Sequence, residues 1–345
     1  MNDRHECLLA SRDVSSFNEF VSWSECAQRA FPSARSACET RIAKAYAAIR
    51  PQVTVCNSHP TVHRCDLVWQ WRGVRNVPVG ISQIVLACEG VRHGLAIIFE
   101  MLAKSGSCVA LPRDVYPVYW RLASDVGLRT VSFETFADLD LRSVLDSLRR
   151  SGAQILVLPC PLKLHGRLWT EDETALVEKW LAERPERRLI LDGVYSFGLP
   201  MDAATRHLIA TDQVIYLDSL SKGWLHERVF GVAIIPARDE RTYAGRFRSE
   251  RPNQSNLFLA QELLSQFRDF PSRLAAQIDD RRSALFESLI SHRARPAERG
   301  YFVAVEASAT ELLGRHSLIA IPASVFGSSL RDWSIASALP RAIAP

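Results

Sequence analysis

The side chains best suited to chemistry lie at residues 219–222, where the sequence reads Ser-Leu-Ser-Lys after an apolar run. Only five of the 42 basic residues are lysines, so a lysine in this position stands out from the composition. Arg228 follows it, and Asp192 and Tyr195 follow the preceding apolar run. An unprotonated lysine amine attacks aldehydes, and hydroxyl and guanidinium groups bind phosphate. These residue types therefore suit an aldehyde cofactor that carries a phosphate.

Short β-rich runs alternate with amphipathic helical stretches between about residues 79 and 235. This pattern predicts an α/β fold, with a mostly parallel sheet covered by helices on both faces. The expected strands are 84–86, 108–111, 129–133, 154–158, 188–191, 213–217 and 229–235, and the expected helices are 91–103, 118–126, 139–148 and one opened by a capping box at 170–173. Ligands of such sheets bind at the carboxyl ends of the strands, which is where Asp192 and Lys222 fall.

The rest of the chain predicts a smaller α+β domain built from both chain ends. Residues 1–50 are assigned to its N-terminal part, 51–240 to the large domain, and 241–345 to long connecting helices and its C-terminal part. Helices are expected at 254–270 and 272–291, and β-rich segments at 301–305 and 317–321, before a final stretch around 330–338. Residues 51–78 fit no clean period, so their secondary structure is not predicted.

Composition excludes several classes of protein. A chain of 345 residues with 47% hydrophobic side chains can bury a large core, and a net charge of +4 requires no nucleic acid partner. The first 17 residues carry charges and lack the apolar run of a signal peptide, and no segment approaches about 18 uncharged apolar residues. Eight cysteines without a Cys-x-x-Cys pair argue against a zinc site. We therefore expect a cytoplasmic protein with no membrane span and no metal.

Four motifs together resemble the fold-type I pyridoxal phosphate enzymes and, among them, the class I/II aminotransferases. Asp-Gly-Val-Tyr at 192–195 and Ser-Leu-Ser-Lys at 219–222 match the cofactor floor of that family in type, order and separation. Gly-Val-Arg at 90–92 looks like its phosphate-binding turn, and Tyr116 before a proline is similar to the ring that stacks on the pyridine. The resemblance covers roughly residues 84–231 well and the C-terminal region weakly. It implies pyridoxal 5'-phosphate as the cofactor and a homodimer.

The resemblance assigns catalytic roles to Lys222, Asp192 and Tyr195. Lys222 would hold the aldehyde as an internal aldimine, because a partly desolvated site beside cations keeps its amine unprotonated. Asp192 would keep the pyridine nitrogen protonated, so that the ring accepts electrons, and Tyr195 would hydrogen-bond the phenolic oxygen. Helix amides, hydroxyls and a guanidinium suit the phosphate. The residues expected to supply them are Gly90, Val91, Arg92, Ser219, Ser221 and Arg228.

The chain departs from the family pattern after the fourth strand. The family's Asn-Pro-x-Gly corresponds here to Pro-Cys-Pro-Leu-Lys-Leu-His-Gly at 159–166, which brings Lys163 or Cys160 near the phenolic oxygen. A cation there would favour the phenolate and lower the aldimine pKa, whereas the alternative is that Lys163 points to solvent. A second departure is the interval between Lys222 and Arg228, which is shorter than the family's and implies a trimmed loop.

A third departure concerns the arginine that binds the substrate carboxylate. Pro-Ala-Ser-Val-Phe-Gly at 322–327 resembles a turn of the family, and Arg331 follows it. A guanidinium fork recognises a carboxylate bidentately, so Arg331 is the predicted substrate-binding residue. Asp332 could occupy the equivalent site instead, and a cationic or amine-bearing substrate would then be favoured.

The leading functional hypothesis is an aminotransferase that moves an amino group between an amino acid and a keto acid through a Lys222 Schiff base. The released Lys222 would carry the Cα proton to C4' of the cofactor. The alternative is a non-transaminating enzyme with the same cofactor, such as a decarboxylase, lyase, cyclase or oxidase. A third hypothesis is a degenerate cofactor-binding protein, against which the joint retention of Lys222, Asp192 and Tyr195 argues.

The expected partners are small amino acid and keto acid substrates, in a biosynthetic role, together with a second copy of the chain. Residues from 51–78 could reach the cofactor of that copy, and Trp69, Trp71 and Arg72 are the candidates. The sequence does not specify the amino donor or the acceptor.

Overall fold

The computed structural model describes residues 64–77, 82–115, 117–136, 139–162, 164, 166–224, 230–250, 252–295 and 297–338. Several sequence predictions fall outside this described part of the chain, namely those on residues 1–50, Tyr116, Lys163 and Arg228.

A seven-stranded sheet forms the centre of the fold. Its strands are β1 (Gln83–Cys88), β2 (Cys108–Pro112), β3 (Arg129–Phe133), β4 (Ile155–Pro159), β5 (Arg188–Asp192), β6 (Val214–Ser219) and β7 (Gly231–Pro236). The strand order is β1-β7-β6-β5-β4-β2-β3, and β7 runs antiparallel to its neighbours β1 and β6. The predicted mostly parallel sheet is confirmed, and each predicted strand lies within two residues of the observed bounds. The antiparallel direction of β7 was not predicted.

Helices cover both faces of this sheet. Those of the described residues are α1 (Arg64–Arg75), α2 (Val91–Lys104), α3 (Val118–Asp125), α4 (Leu141–Ser151), α5 (Glu171–Ala182), α6 (Ala203–Ala210), α7 (Glu240–Ser249), α8 (Gln254–Gln266), α9 (Phe270–Ser288) and α10 (Ala309–His316). α2, α3 and α7 share one core with the sheet, and α1, α4, α5, α6 and α8 share the other. The predicted capping box is present, because Thr170 and Glu173 each accept a backbone N–H from the other.

Alternation along the central strands explains why two cores form. On β4, Leu156 and Leu158 belong to one core, whereas Ile155 and Val157 belong to the other. Successive side chains of a strand point to opposite faces, so an uninterrupted apolar strand is buried on both sides.

A second, antiparallel sheet lies in the C-terminal part of the chain. Its strands are β8 (Ala294–Arg295), β9 (Phe302–Glu306), β10 (Ala320–Pro322) and β11 (Trp333–Ser337), in the order β10-β11-β9-β8. One face packs on α10 through Leu312. The other contacts the large sheet, where the rings of Phe136 and Trp333 lie 5.6 Å apart between centroids. Arg295 stacks on both rings and donates to the Phe136 carbonyl oxygen, which fixes this junction.

Several boundaries in this region differ from the sequence prediction, and α9 ends at Ser288, three residues before its predicted end. β10 begins at Ala320 because α10, which was not predicted, continues to His316 and ends with Ser317 in the left-handed region. α8 ends at Gln266, four residues before its predicted end. α9 begins at Phe270, so Pro271 lies in its first turn instead of before it. A proline is tolerated there because the backbone N–H that it lacks would have no partner within the helix.

The unpredicted segment before β1 contains α1. Leu67, Trp71 and Arg75 are buried on one face of this helix, at a spacing of four residues. Trp71 is thus a core residue of its own chain, whereas Trp69 is 58% exposed with the Arg72 guanidinium 4.8 Å above its ring. Within the described ranges, no helix combines the length and the apolar composition needed to cross a membrane.

Candidate active site

The chemistry-bearing turns meet at the carboxyl edge of the large sheet. Asp192 ends β5 and pairs in register with Leu217 of β6, so the turns after the two strands are neighbours. The start of β7 lies at the same edge, since Gly231 pairs with Cys88 at the end of β1 and with Ser219 at the end of β6. A Cβ on Gly231 would lie 2.6 Å from the Gly90 Cα, which shows how closely the start of β7 approaches the turn after β1.

Asp192 is a buried acceptor at this edge. Its Oδ1 accepts the backbone N–H of Val194 at 3.0 Å, and its Oδ2 accepts the hydroxyl of Tyr119 from α3. Burial, together with the Asp192 charge, raises the pKa of Tyr119 well above its ordinary value. Tyr119 therefore stays protonated as the donor, and the carboxylate is the acceptor. The contact with Tyr119 was not predicted.

Tyr195 contacts both Lys222 and the small sheet. The Lys222 Nζ is 5.6 Å from the centre of the Tyr195 ring. Tyr195 also approaches Tyr301 and Phe302, with ring centroids 6.1 and 6.5 Å away. The candidate site therefore lies at the junction of the two sheets, and the small sheet helps to position Tyr195.

The two serines before Lys222 contact each other. Ser219 is buried, and its Oγ lies 2.7 Å from the Ser221 Oγ and accepts the Ser221 N–H at 3.4 Å. Ser221 and Lys222 are half-buried. The backbone N–H of Trp224 closes the turn by donating to the Leu220 carbonyl oxygen at 3.0 Å. Two hydroxyls and an amine are thus presented within four residues.

Gly90 provides the turn between β1 and α2. Its φ of 139° lies in a region that residues with a Cβ rarely adopt. Gly90 is also the N-cap residue of α2, where it provides no side-chain hydrogen bond. The first turn of α2, which contains the amides of Val91 and Arg92, lies at the carboxyl end of β1, and Gly90 has no side chain to cap it. A Cβ on Gly90 would lie 3.7 Å from the Ser219 Cβ, so the start of α2 and the turn that carries the two serines are neighbours.

His93 holds this turn in place. Its Nδ1 accepts the backbone N–H of Glu89 at 3.2 Å, so Nε2 carries the proton and donates to Glu250 of α7 at 3.0 Å. The buried Cys88 thiol, whose pKa burial raises to about 12, donates to the Gly90 carbonyl oxygen. Neither anchor was predicted, since no local sequence pattern marks them.

Arg331 and Asp332 are both exposed, on the turn before β11. Among the described residues, no hydrogen bond or ion pair joins Arg331 to Lys222, Asp192 or Tyr195. The preceding segment is fixed by Glu134, whose Oε1 accepts the Ser329 N–H at 2.6 Å. Burial alone would raise the pKa of Glu134, but hydrogen bonds from Arg113 and the serines lower it to about 2.

Cys160 is a packing residue rather than a partner of the site. Its Sγ lies 2.8 Å from the Thr205 Oγ1 of α6, and burial raises the pKa of the thiol to about 12. Its backbone N–H donates to the Asp192 carbonyl oxygen at 2.8 Å and ties β4 to β5. Of the two groups expected near the phenolic oxygen, Lys163 remains a prediction because it lies outside the described residues.

No protein-family model matches the chain, and no curated protein matches its sequence. Solved structures do match it in fold. A methionine aminotransferase from Escherichia coli is 16% identical with a TM-score of 0.71, and the match covers 87% of this chain and 85% of that one. The pyridoxal phosphate-bound C–S lyase from Staphylococcus hominis is 15% identical with a TM-score of 0.69, covering 86% and 83%.

An aspartate aminotransferase from Thermus thermophilus, solved with maleate, is also similar, at 16% identity and a TM-score of 0.68, covering 87% of this chain and 84% of that one. The chain therefore has the fold of the fold-type I pyridoxal phosphate-dependent enzymes. The proteins of this fold that it resembles include both aminotransferases and C–S lyases.

Proposed function

We propose that this protein is a pyridoxal phosphate-dependent enzyme acting on amino acids, with Lys222 as the covalent attachment residue. The observation that carries this proposal is the placement of Lys222 and the buried carboxylate of Asp192 on adjacent strand ends, with Tyr195 beside the lysine at 5.6 Å. An amine, a carboxylate and a phenol at one edge match the aldehyde, the ring nitrogen and the phenolic oxygen of that cofactor.

The start of α2, beside Ser219, suits the phosphate of the same cofactor. The amides at a helix N-terminus and two hydroxyls are donors that an oxyanion prefers, and the absence of a Cβ on Gly90 leaves room beside Ser219. We assign the phosphate to the amides of Val91 and Arg92 and to the hydroxyls of Ser219 and Ser221. Arg228, Lys163 and Tyr116 are proposed to complete the site from outside the described residues.

When bound, the cofactor supplies an electron sink for the bond that breaks at the substrate Cα. Asp192 holds a proton on the ring nitrogen, and the bond from Tyr119 keeps its carboxylate oriented. Tyr195 donates a hydrogen bond at the phenolic oxygen. The Lys222 amine, half-buried above Tyr195, would accept the proton from the substrate Cα and, in transamination, would donate that same proton back to the bound substrate–cofactor pair at C4'.

Transamination is the reaction that we propose first. Lys222 would act as both acceptor and donor of the Cα proton, and the structurally similar proteins include aminotransferases. A C–S lyase or another non-transaminating reaction is the second candidate. It is supported by the similar C–S lyase, which shares this fold. Arg331 stays our proposal for the residue that binds the substrate carboxylate.

Single-turnover stoichiometry separates the two reactions. We expect a reactive amino acid, added without any keto acid, to convert the bound cofactor to its amine form and to yield one keto acid per active site. Turnover should then stop, because the amino group stays on the cofactor. The measurement is an absorbance spectrum with quantification of keto acid, screened across the common amino acids and amines. Continued release of ammonia and keto acid beyond one equivalent would instead identify a lyase.

We also propose, on the basis of the family resemblance, that the active form is a cytoplasmic homodimer. Light scattering on the cofactor-loaded protein tests its mass, and a monomer that retains full activity would overturn this part of the proposal.

A further inference from the structure

A buried arginine lies beneath the candidate site, at the end of α1. Arg75 is 1% exposed, and its Nε donates to Asp218 Oδ2 at 2.7 Å. Its Nη2 donates to the Ser196 Oγ at 2.6 Å and to the Tyr216 hydroxyl oxygen at 2.7 Å. Trp71, one turn earlier on α1, also donates to Asp218 Oδ2, at 3.2 Å. We refer to Trp71, Arg75, Ser196, Tyr216 and Asp218 as the Arg75 cluster.

The first link from Arg75 leads to the turn that carries Lys222. Asp218 directly precedes Ser219, and its Oδ1 accepts the Ser219 backbone N–H at 2.8 Å. The orientation of the Asp218 carboxylate therefore fixes the direction in which the chain leaves β6. Ser221 and Lys222 follow immediately.

The second link leads to the turn that carries Asp192 and Tyr195. Ser196 directly follows Tyr195, and its hydroxyl donates to the Gly193 carbonyl oxygen across the turn. Tyr216 lies beneath the same turn, because a Cβ on Gly193 would come within 2.0 Å of its hydroxyl oxygen. One guanidinium thus joins both turns at which the cofactor is proposed to sit.

The cluster carries a buried charge pair. Burial alone would lower the pKa of Arg75, but the charge of Asp218 and the contact with Tyr216 raise it above its ordinary value, so the guanidinium stays charged. A buried ion pair contributes little net stability compared with apolar residues of the same size. A role in fixing geometry is therefore a better reason for this pair than stability alone.

We propose that Arg75 is a positioning residue, which holds the turn bearing Tyr195 and the turn bearing Lys222 in the relative arrangement that the cofactor requires. This inference rests on the proposed function. The planar fork of arginine suits the task because it reaches Asp218, Ser196 and Tyr216 in fixed directions. A lysine amine keeps the charge opposite Asp218 but lacks this fork.

The discriminating variant is therefore Arg75→Lys. The matched control is Arg188→Lys, since Arg188 makes a similar pair with Asp239 through Nε at 2.6 Å and Nη2 at 2.8 Å. Arg188 begins β5, at the opposite end of the strand from Asp192. Both variants replace an arginine that pairs with an aspartate, but only Arg75→Lys affects the two turns at the carboxyl edge.

Three measurements test the proposal on the full chain. In the cofactor-free protein, Arg75→Lys should speed amide hydrogen exchange in peptides covering 193–197 and 217–222. On titration with pyridoxal 5'-phosphate, its Kd should rise about tenfold or more, the size expected for one lost charge-assisted hydrogen bond. The pH midpoint of the bound cofactor's absorbance should shift upward, because Tyr195 no longer supports the phenolate. Arg188→Lys should leave the exchange rates and the Kd within about twofold of the wild-type values, well below that tenfold change. It should also leave the pH midpoint of the bound cofactor unchanged.

If Arg75→Lys does not fold, the double variant Arg75→Met with Asp218→Asn removes both charges, leaves no unpaired buried charge and should show the same three changes. A shift in the pH midpoint separates positioning from simple destabilisation. Equal behaviour of the Arg75 and Arg188 variants overturns the inference and leaves the proposed function intact. A failure of both Arg75 variants to fold overturns it in favour of a purely structural role. A wild-type protein that binds no cofactor overturns both proposals.

Discussion

Replacing Lys222 with alanine is expected to abolish covalent cofactor binding and to lower turnover by at least ~10³-fold. Acid–base catalysis alone contributes about 10²–10⁴-fold, and the variant also loses the amine that attacks the aldehyde. Lys222 is half-buried beside Tyr195, and its side chain is not part of the core, so the fold should be retained. The measurements are the absorbance spectrum after gel filtration and the turnover with the best amino acid substrate.

The control for this variant is Lys179→Ala, which removes an exposed lysine from α5 and should leave both readouts unchanged. Added methylamine offers a further check, because a small free amine can replace the missing proton acceptor and should restore part of the turnover. The assignment of Lys222 would be wrong if Lys222→Ala kept the cofactor spectrum of the wild type through gel filtration.

Asp192→Asn is expected to lower turnover by about 10²–10³-fold, the usual effect of removing one preorganised electrostatic group. The amide has nearly the same shape and can still accept the Val194 N–H, so the turn should persist. It cannot hold a proton on the ring nitrogen, however, and the electron sink is weakened. Steady-state kinetics on the cofactor-loaded variant, with circular dichroism to verify folding, measure this effect.

Tyr119→Phe is the companion variant, because it removes only the hydroxyl that donates to Asp192. It should lower turnover by about tenfold, less than the loss of the carboxylate, as expected for one charge-assisted hydrogen bond. Activity of Asp192→Asn equal to that of Tyr119→Phe would contradict the role assigned to the carboxylate, since the carboxylate would then matter only as the partner of Tyr119.

The large sheet could be predicted because its strands are short apolar runs that end in polar or glycine-rich turns. The positions of Asp192 and Lys222 followed from that, since Asp192 comes directly after such a run and Lys222 lies in the turn that follows the next one. Their adjacency required the strand order, in which β5 and β6 are neighbours. The antiparallel direction of β7 leaves no mark on the sequence, because a strand buried on both faces looks the same in either direction.

The helix α1 was missed for a physical reason. Its buried face includes Arg75, and a charged residue in that position interrupts the apolar pattern from which helices are read. The partner that makes burial possible, Asp218, lies 143 residues further along the chain. The Tyr119 contact with Asp192 spans 73 residues and was missed for the same reason.

The central claim is that the Lys222 amine binds the cofactor aldehyde. Borohydride reduction of the protein incubated with pyridoxal 5'-phosphate, followed by protease digestion and mass spectrometry, tests it most directly. The account predicts one pyridoxyl group per chain, on the peptide that contains Lys222. A label on Lys163 or on any of the other lysines, or no label at all, would contradict it.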